Sequence, residues 1–366
     1  MKFTATREEL LTPLQQVVSV IEKRQTMPIL SNVLIQLDYE SLTLTGTDLE
    51  IQLIIKLHLP QTNVGSITVP ARKLLDICRL LPQGSQIDFE WTGEKMKVVS
   101  GRSRFSLSTL PSENYPEFSE SAFEHQFFIN AGKFKKALEK TTFCMANQDV
   151  RYYLNGLLMH VSNKIIKLVA SDGHRLSIHE DQLQEGTNAE TRIILPRKGV
   201  LEFMRLLDDL ETDVKVEYSA NNIRFFYKHL IFSAKLVDSK YPDFNKVFQQ
   251  QASGILSIPK IPLKESLTRV AILSNEKFKG VTLDISSDIL KLSAHNPEHE
   301  EAEEEILIDY PGEPLSISFN VQYLLDALAN LDSDTAVFTI SNNTSTCFIE
   351  EVDEKNYKFI VMPMKL

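Results

Sequence analysis

The sequence predicts an α+β protein built from three similar domains in tandem. Residues 44–48, 168–172 and 292–296 each end an alternating, strand-like run in the same way, with Leu first and Asp or Asn last. Successive copies lie 124 residues apart. A repeat of that length is a whole domain, because solenoid units span only about 20–50 residues. The 366 residues are enough for two or three domains.

Each repeat is predicted to open with an amphipathic helix followed by β-strands. In the first repeat Leu10, Leu14 and Val17 recur at helical spacing and mark the buried face. Alternating apolar and polar residues then predict strands, as at residues 42–45 and 289–292. The order of elements is the same in all three repeats, so each is expected to fold alike.

A second helix recurs later in each repeat. Residues 71–81 match residues 197–207 position by position, and residues 321–331 form a third copy. A proline precedes the first two copies, where it favours entry into a helix. We therefore expect one helix of the same kind, with one buried face, in each domain.

Polar stretches near residues 117–126 and 245–256 separate the repeats and are expected to be linkers. They place the domains at residues 1–120, 127–247 and 254–366. Because the linkers are short, neighbouring domains are expected to be held in a fixed relation.

The composition is that of a folded protein, with 43% hydrophobic and 24% charged residues. Cys78, Cys144 and Cys347 are widely separated in apolar surroundings and are typical of buried thiols in a reducing compartment. No apolar run approaches the roughly 20 residues that span a bilayer, and no secretory signal opens the chain. We expect a cytoplasmic protein that contacts no membrane and needs no metal or cofactor.

The net charge of -10 argues against a nucleic-acid partner unless positive charge is concentrated on one surface. Such a concentration is suggested on the recurring second helix. Arg72 and Arg79 lie opposite its apolar face, and Lys198 and Arg205 take the same places in the second copy. Each row alone is most simply a solvated helix face. Its recurrence favours a shared electropositive surface, which the third copy does not continue.

A glutamate run gives the third repeat the opposite character. Six of the eight residues at 298–305 are Glu. Such runs are usually solvated loops, but this one precedes an apolar strand. The first repeat carries Arg102 and Arg104 beside Phe105 and Leu107. Complementary ends of one chain suggest head-to-tail self-association, which closes into a ring if the rotation permits.

One cluster, formed by Asp172 and His174, could support an enzyme. A carboxylate two residues from a His suits general-base or metal chemistry, as in a nuclease or phosphoesterase. The alternative, which we favour, is that Asp172 stabilises a turn, because Asp48 takes the equivalent place in the first repeat. Phosphate-binding glycine loops and HExxH zinc motifs are absent from the sequence.

Four longer segments resemble the bacterial DNA polymerase III beta subunit family, the sliding clamps. They are residues 148–156, 171–176, 271–278 and 361–366, and the similarity runs the length of the chain. The resemblance implies three domains of the DNA clamp fold in each subunit. It also implies a head-to-tail dimeric ring of six domains, with helices inside and sheets outside.

The function implied by the resemblance is that of a processivity factor with no enzymatic activity. It would encircle double-stranded DNA without sequence specificity and tether other proteins through short linear motifs. The partners implied are the replicative polymerase subunit, the clamp loader, other polymerases, and mismatch-repair or ligase proteins. Arg24 and Gln148 match DNA-contact positions, and Arg72, Arg79, Lys198 and Arg205 would join them on the inner surface.

The family also has a pocket for partner peptides between the second and third domains. The matching residues are Arg151, Tyr153, Leu154, Ser171, Gly173, His174, Arg175, Leu176, Pro242, Val247, Asn320, Tyr323, Ile360, Val361, Met362, Pro363, Met364 and Leu366. Here Ser171 stands where the family commonly has Thr. The implied subunit interface contains Lys73, Arg102, Arg104, Phe105, Leu107, Ile272, Leu273, Glu298, Glu301 and Glu304.

Overall fold

The computed structural model describes residues 1–22, 27–60, 62–118, 122–245, 254–340, 346–352 and 354–365, with side chains for all of these except 187–189. The α-helices of these residues are α1 (Arg7–Val20), α2 (Ala71–Leu80), α3 (Ala131–Thr142), α4 (Arg197–Leu206), α5 (Lys260–Val270) and α6 (Val321–Ala329). The strands are β1 (Lys2–Thr6), β2 (Asn32–Leu37), β3 (Ser41–Thr47), β4 (Ile51–His58), β5 (Gly65–Pro70), β6 (Gln86–Trp91), β7 (Lys95–Ser100), β8 (Ser103–Ser108), β9 (His125–Asn130), β10 (Gly156–Ser171), β11 (Arg175–Pro196), β12 (Asp213–Tyr218), β13 (Asn222–Tyr227), β14 (Leu230–Lys235), β15 (Gly254–Pro259), β16 (Gly280–Ile285), β17 (Ile289–His295), β18 (Glu301–Leu307), β19 (Leu315–Asn320), β20 (Thr335–Ile340), β21 (Cys347–Glu351) and β22 (Tyr357–Val361).

The prediction of three repeated α+β domains is confirmed by the order of these elements. The first repeat runs strand, helix, four strands, helix, three strands, from β1 to β8. The third repeats this order from β15 to β22. In the second, β10 and β11 are long enough that each replaces two strands, and they pair with each other along most of their length.

The 124-residue repetition seen in the sequence corresponds to a recurring turn. Asp48, Asp172 and Asn296 follow the first strand of a hairpin in the three repeats. In each case one side-chain oxygen accepts two backbone N–H bonds from the following residues, at 2.8–3.1 Å. This is the turn geometry that Asp and Asn favour. The interpretation of Asp172 as a turn residue is therefore confirmed.

The chain divides into two compact units. The first contains Met1–Phe134 and Lys198–Leu236, and the second contains Lys135–Arg197 and Val237–Leu366. In the first unit the sheets have the strand orders β1-β6-β7-β8 and β5-β2-β3-β4-β14-β13-β12-β9. In the second unit they are β10-β11-β22-β21-β20-β15 and β18-β17-β16-β19. Neighbouring strands pair antiparallel throughout these sheets.

Repeats are joined inside each unit by the same kind of strand pair. We call β4, the first part of β11, and β18 the turn strands, because each follows the recurring turn. The last strands of the repeats, β8, β14 and β22, are the closing strands. Turn strand β4 pairs with closing strand β14, with Leu53 opposite Phe232. Turn strand β11 pairs with closing strand β22, with Ser177 opposite Phe359. Closing strand β8 and turn strand β18 are left as edges of their four-stranded sheets.

The recurring second helix buries the face that its apolar stripe predicts. In α2, Leu74, Leu75 and Cys78 are buried. In α4, Phe203 is buried and its ring stacks on Phe225, with centroids 4.1 Å apart. This packing fixes the rotation of each helix, so its charged residues face away from the sheet.

The three cysteines are buried and free of disulfide bonds. Burial raises the pKa of Cys78 to about 12 and raises that of Cys144 well above its ordinary value. Thiols with such pKa values are unreactive near neutral pH, because the thiolate is the reactive form. In the described parts of the chain, no helix is both long and apolar enough to cross a membrane.

Candidate functional site

The turn at Asp172 is held together by hydrogen bonds and one ion pair that engage both oxygens of its carboxylate. Besides the two backbone bonds, Asp172 accepts a bond from Nε of Arg175 at 3.0 Å. Gly173 has a φ of +90°, and a Cβ there would lie 2.7 Å from the Arg151 guanidinium. No cluster of three metal-binding His, Cys, Asp or Glu side chains occurs in the described residues. The nuclease or phosphoesterase alternative thus has no supporting geometry here.

Arg175 links the second and third repeats through a nearly buried guanidinium. Its side chain is 11% exposed, and its Nη1 donates to Asp326 of α6 at 2.6 Å. Its Nη2 donates to the carbonyl of Phe143 at 2.8 Å. The guanidinium also lies 4.5 Å from the ring centre of Tyr323. Charge-assisted bonds and cation–π contact of this kind hold a buried Arg in a single orientation.

A mainly apolar cavity of about 160 Å³ opens beside this turn, in the second unit. Beneath it lies a cluster of buried side chains that includes Leu154, Val169 and Phe348. The lining residues are Arg151, Tyr153, Leu154, Ser171, Gly173, Arg175, Leu176, Tyr241, Pro242, Asp243, Phe244, Ile360 and Met362. An apolar cavity with a few polar groups at its rim is the usual form of a ligand or peptide site.

Most of the residues expected to form the peptide pocket meet at this cavity. Those that line it are Arg151, Tyr153, Leu154, Ser171, Gly173, Arg175, Leu176, Pro242, Ile360 and Met362. Val247 and Leu366 lie outside the described residues, as does Arg24. The backbone N–H of Met362 donates to the carbonyl of exposed His174 at 2.8 Å. This bond ties the C-terminal segment, residues 362–365, to the turn at Asp172.

Some expected pocket residues lie elsewhere. Val361 is fully buried and faces the opposite side of β22 from Ile360, because successive strand residues alternate between faces. Tyr323 packs under Arg175 instead of lining the cavity. Asn320 caps α6 by accepting the N–H of Gln322 at 2.9 Å.

The end of the C-terminal segment contributes to a different cavity. Met364 pairs with Ser318 in an isolated bridge. It lines a second cavity of about 410 Å³ together with Phe278. Pro363, between Met362 and Met364, lines neither cavity.

Tyr241, Asp243 and Phe244 form a wall of the first cavity that the sequence reasoning missed. Tyr241 is nearly buried, and its ring contacts that of Tyr153 edge-on, with centroids 6.2 Å apart. The Tyr-Pro pair at 241–242 was available as a signal, because Tyr115-Pro116 repeats it in the first repeat. Nothing in the local sequence indicated that this segment returns to β22.

The cations on the second helices are only partly available. Arg72 is exposed and donates to the carbonyl of Ile21 at 3.0 Å. Arg79 lies 3.5 Å from Asp76 of the same helix. Arg205 is 67% exposed and contacts Glu202 at 2.7 Å. These guanidiniums lie at the surface, where ion pairs are weak and a phosphate can replace a carboxylate.

Lys198 differs from the other three because two carboxylates hold it. Its ammonium pairs with Glu22 at 2.7 Å and with Asp48, the turn residue of the first repeat. Although partial burial lowers the pKa of Lys198, these hydrogen bonds leave it raised overall. Lys198 is therefore neutralised within the first unit and has little charge to offer a phosphate.

Edge strand β8 of the first unit presents mixed chemistry. Phe105 is 36% exposed and Leu107 is buried, so of the two predicted interface apolars only Phe105 lies at the surface. Arg102 and Arg104 are exposed. Arg104 lies on the opposite face of β8 from Phe105 and Leu107, because successive strand residues alternate between faces. Arg102 lies in the turn between β7 and β8.

Edge strand β18 of the second unit alternates in the same manner. Glu301, Glu303 and Glu305 are exposed on one face. Glu304 faces α5 and pairs with Arg269 at 2.8 Å, a hydrogen bond that lowers its pKa to about 2. Glu304 thus has a partner in its own chain. Ile272, just after α5, is 77% exposed.

Comparisons with known proteins were made for the sequence and for the fold. Models of the DNA polymerase III beta subunit match along the chain: the N-terminal domain at residues 1–119, the central domain at 128–243 and the C-terminal domain at 245–365. Among curated proteins, the beta sliding clamps of Pseudomonas aeruginosa and Escherichia coli K12 are each 43% identical over 367 residues, covering 100% of both chains.

Solved structures agree with this assignment. The crystal structure of the DNA polymerase III subunit beta from Pseudomonas aeruginosa has a TM-score of 0.98 at 42% identity, with 100% of each chain covered. The beta subunit from Caulobacter crescentus has a TM-score of 0.95 at 31% identity, again with complete coverage. The chain therefore belongs to the DNA polymerase III beta subunit family, the sliding clamps, which act in replication as processivity factors and not as enzymes.

Proposed function

We propose that two copies of this chain join head to tail into a ring around double-stranded DNA. Partner proteins dock at the cavity beside Asp172. The observation that carries the proposal is the pair of unmatched edge strands: closing strand β8 in the first unit and turn strand β18 in the second. At both boundaries between repeats within the described part of the chain, a turn strand pairs with a closing strand. A second copy supplies the missing partner to both edges.

The repeats also predict the register of this contact. Ala302 is the counterpart of Leu53 and Ser177 in the other two turn strands. Each of these three residues lies opposite the Gly or Ala that stands two positions before the Asp or Asn of the recurring turn. Phe105 is the counterpart of Phe232 and Phe359, the residues opposite Leu53 and Ser177. Equivalent pairing places Phe105 opposite Ala302 of the partner subunit.

Counting outward from that pair, the charges become complementary. In an antiparallel pair Arg104 comes opposite Glu303, and Arg102, in the turn just before β8, comes near Glu305. Arg104 and Glu303 share one face, and Phe105 lies on the other face with the apolar residues near Ile272. Opposite charges across strands stabilise a pair modestly and disfavour other registers. Lys73 adds a further cation to the first unit, and Glu298 and Glu301 add carboxylates to the second unit at and before the start of β18.

The proposed inner surface is formed by the helices, which carry the exposed Arg72, Arg79 and Arg205. Gln148, exposed with a φ of 59°, adds a polar contact, as Arg24 does in the family pattern. Contacts to phosphates carry no sequence information, so binding is independent of sequence. A few loose contacts let the ring slide, and retention comes from its closure. Lys198 contributes little, because Glu22 and Asp48 neutralise it.

The proposed docking cavity accepts short apolar motifs from partners. Leu176, Ile360 and Met362 offer apolar contacts, and the flexible thioether of Met362 adapts to side chains of different shape. Partners of this kind are the replicative polymerase subunit, the clamp loader, other polymerases, and mismatch-repair or ligase proteins. The protein would act in the cytoplasm, at the nucleoid. Each subunit would contain three clamp domains, at residues 1–120, 127–247 and 254–366.

Retention on circular DNA tests the proposal. The chain is loaded on a nicked plasmid by its clamp loader and separated from free protein by gel filtration at moderate salt. We expect it to stay with the circle and to be lost within minutes after a single double-strand cut. Equal retention on circular and linear DNA would show that binding is by affinity and would refute the ring.

A further inference from the structure

We propose that the docking cavity continues into a lysine-bearing depression that binds acidic residues flanking a partner's apolar motif. The inference rests on the peptide site of the proposed function. It adds a second contact on the same sheet face, with Lys167, Lys355 and Lys358 as its cations.

The two depressions lie along one strand pair. Leu176 and Ile360 are opposite each other and line the docking cavity. Two residues further along, Ile178 lies opposite Lys358, and both line a depression of about 270 Å³. Residues two apart on a strand share a face and are about 7 Å apart. A peptide lying in the first cavity therefore reaches the second within a few residues.

The docking cavity and the depression are also connected along a second side, which is formed by residues 242–245. Pro242, Asp243 and Phe244 line the docking cavity, and the next residue, Asn245, lines the depression. Both cavities thus share one wall, formed by a single stretch of chain. A ligand crossing from one to the other stays in contact with protein.

The charge of the depression is the opposite of the charge of the whole protein. Three lysines line it with one carboxylate, Glu180, in a chain of net charge -10. Lys167 pairs with Glu180 at 2.6 Å, and Lys358 pairs with Glu350 at 3.4 Å. Lys355 is exposed. Among the described residues, these three lysines are matched by two carboxylates in ion pairs, and both pairs are partly exposed, so incoming carboxylates can bind there.

An acidic peptide fits this surface better than DNA does. Ser177, on the other face of β11, donates its hydroxyl to the carbonyl of Lys140 in α3. The face bearing Ile178 and Lys358 therefore points away from that helix. DNA is proposed to lie against the helices, whereas a docked partner lies on this sheet face. Its flanking carboxylates are the anions within reach.

Peptide binding to the full-length protein tests the inference. The probe is a fluorescent peptide containing the apolar docking motif of the cognate polymerase subunit, measured by anisotropy. It is compared with versions extended by Gly-Gly-Glu-Glu-Glu at either end and with Gly-Gly-Gln-Gln-Gln controls. We expect one Glu extension to tighten binding about three- to tenfold over its Gln control at low salt, and the gain to shrink at high salt.

Matched variants locate the effect. Lys355→Gln with Lys358→Gln should abolish the gain without weakening the bare peptide, whereas Lys95→Gln with Lys97→Gln on β7 should leave it intact. If the bare peptide fails to bind the wild-type protein, the docking site itself is wrong. If it binds but no Glu extension helps, or the gain survives in K355Q/K358Q, this inference is wrong. Loss of duplex DNA binding by K355Q/K358Q, with no change in peptide binding, would also overturn it.

Discussion

The proposed register across the subunit contact makes a specific prediction for Arg104. Changing Arg104→Glu replaces an attractive pair with Glu303 by a repulsive one. An exposed pair contributes about 0.5 kcal/mol and a like-charge pair costs a similar amount, so the change is about 1 kcal/mol per contact. A closed two-subunit ring has two such contacts. The ring is then weakened by about 2 kcal/mol, or roughly 30-fold in the dissociation constant.

Compensating substitutions distinguish the register from general charge effects. Glu303→Arg should partly restore the R104E ring, because it returns opposite charges to the facing positions. Rescue is incomplete, since Glu303 also pairs with Lys291 at 2.8 Å within its own chain. Glu304→Arg is the matched control: its side chain faces α5 and Arg269, so it should give no rescue.

Sedimentation equilibrium at several protein concentrations and low salt measures these dissociation constants. R104E should weaken the ring, and E303R should restore it better than E304R does. An unchanged ring in R104E, or rescue by E304R in preference to E303R, would refute the register and with it the equivalence of the three repeats.

Ile272→Ala with Leu273→Ala removes an exposed and a half-buried apolar side chain from the contact and should give mostly monomer in sedimentation velocity; an unchanged dimer would contradict the interface. Arg175→Ala leaves two carboxylates without their guanidinium and should destabilise the second unit by about 3 kcal/mol, seen as a lower Tm together with weaker peptide binding; an unchanged Tm would contradict it. Burial lowers the pKa of His179 from its ordinary 6.5, so the folded state disfavours its charged form. Its stability contribution is present above about pH 6.5 and is lost as the pH falls, so His179→Leu should flatten the decline in Tm between pH 7 and 5; an equal decline would refute this role.

The repeated elements were predictable because they depend on local chemistry. The turn at Asp48 and its counterparts needs only a side-chain acceptor followed by two free N–H groups, and the stripe on α2 needs only helical spacing. Both signals are present in short windows of sequence.

The pairings between distant residues were not predictable in this way. Lys198 looked like a solvated cation, but the chain brings Glu22 and Asp48 to it from more than 140 residues away. Glu303 and Glu304 are adjacent in one acidic run, yet strand alternation gives them opposite faces. Only the pairing of β18 shows which of them faces α5.

The mass of the protein in solution tests the central claim most directly. If the unmatched strands β8 and β18 of two chains complete each other, the chain of 41.7 kDa sediments as a species of twice that mass. Closure also limits the assembly to that size, so the mass should not exceed twice that of the chain at any higher concentration. A monomer at micromolar concentration, or a series of ever larger species, would contradict the account.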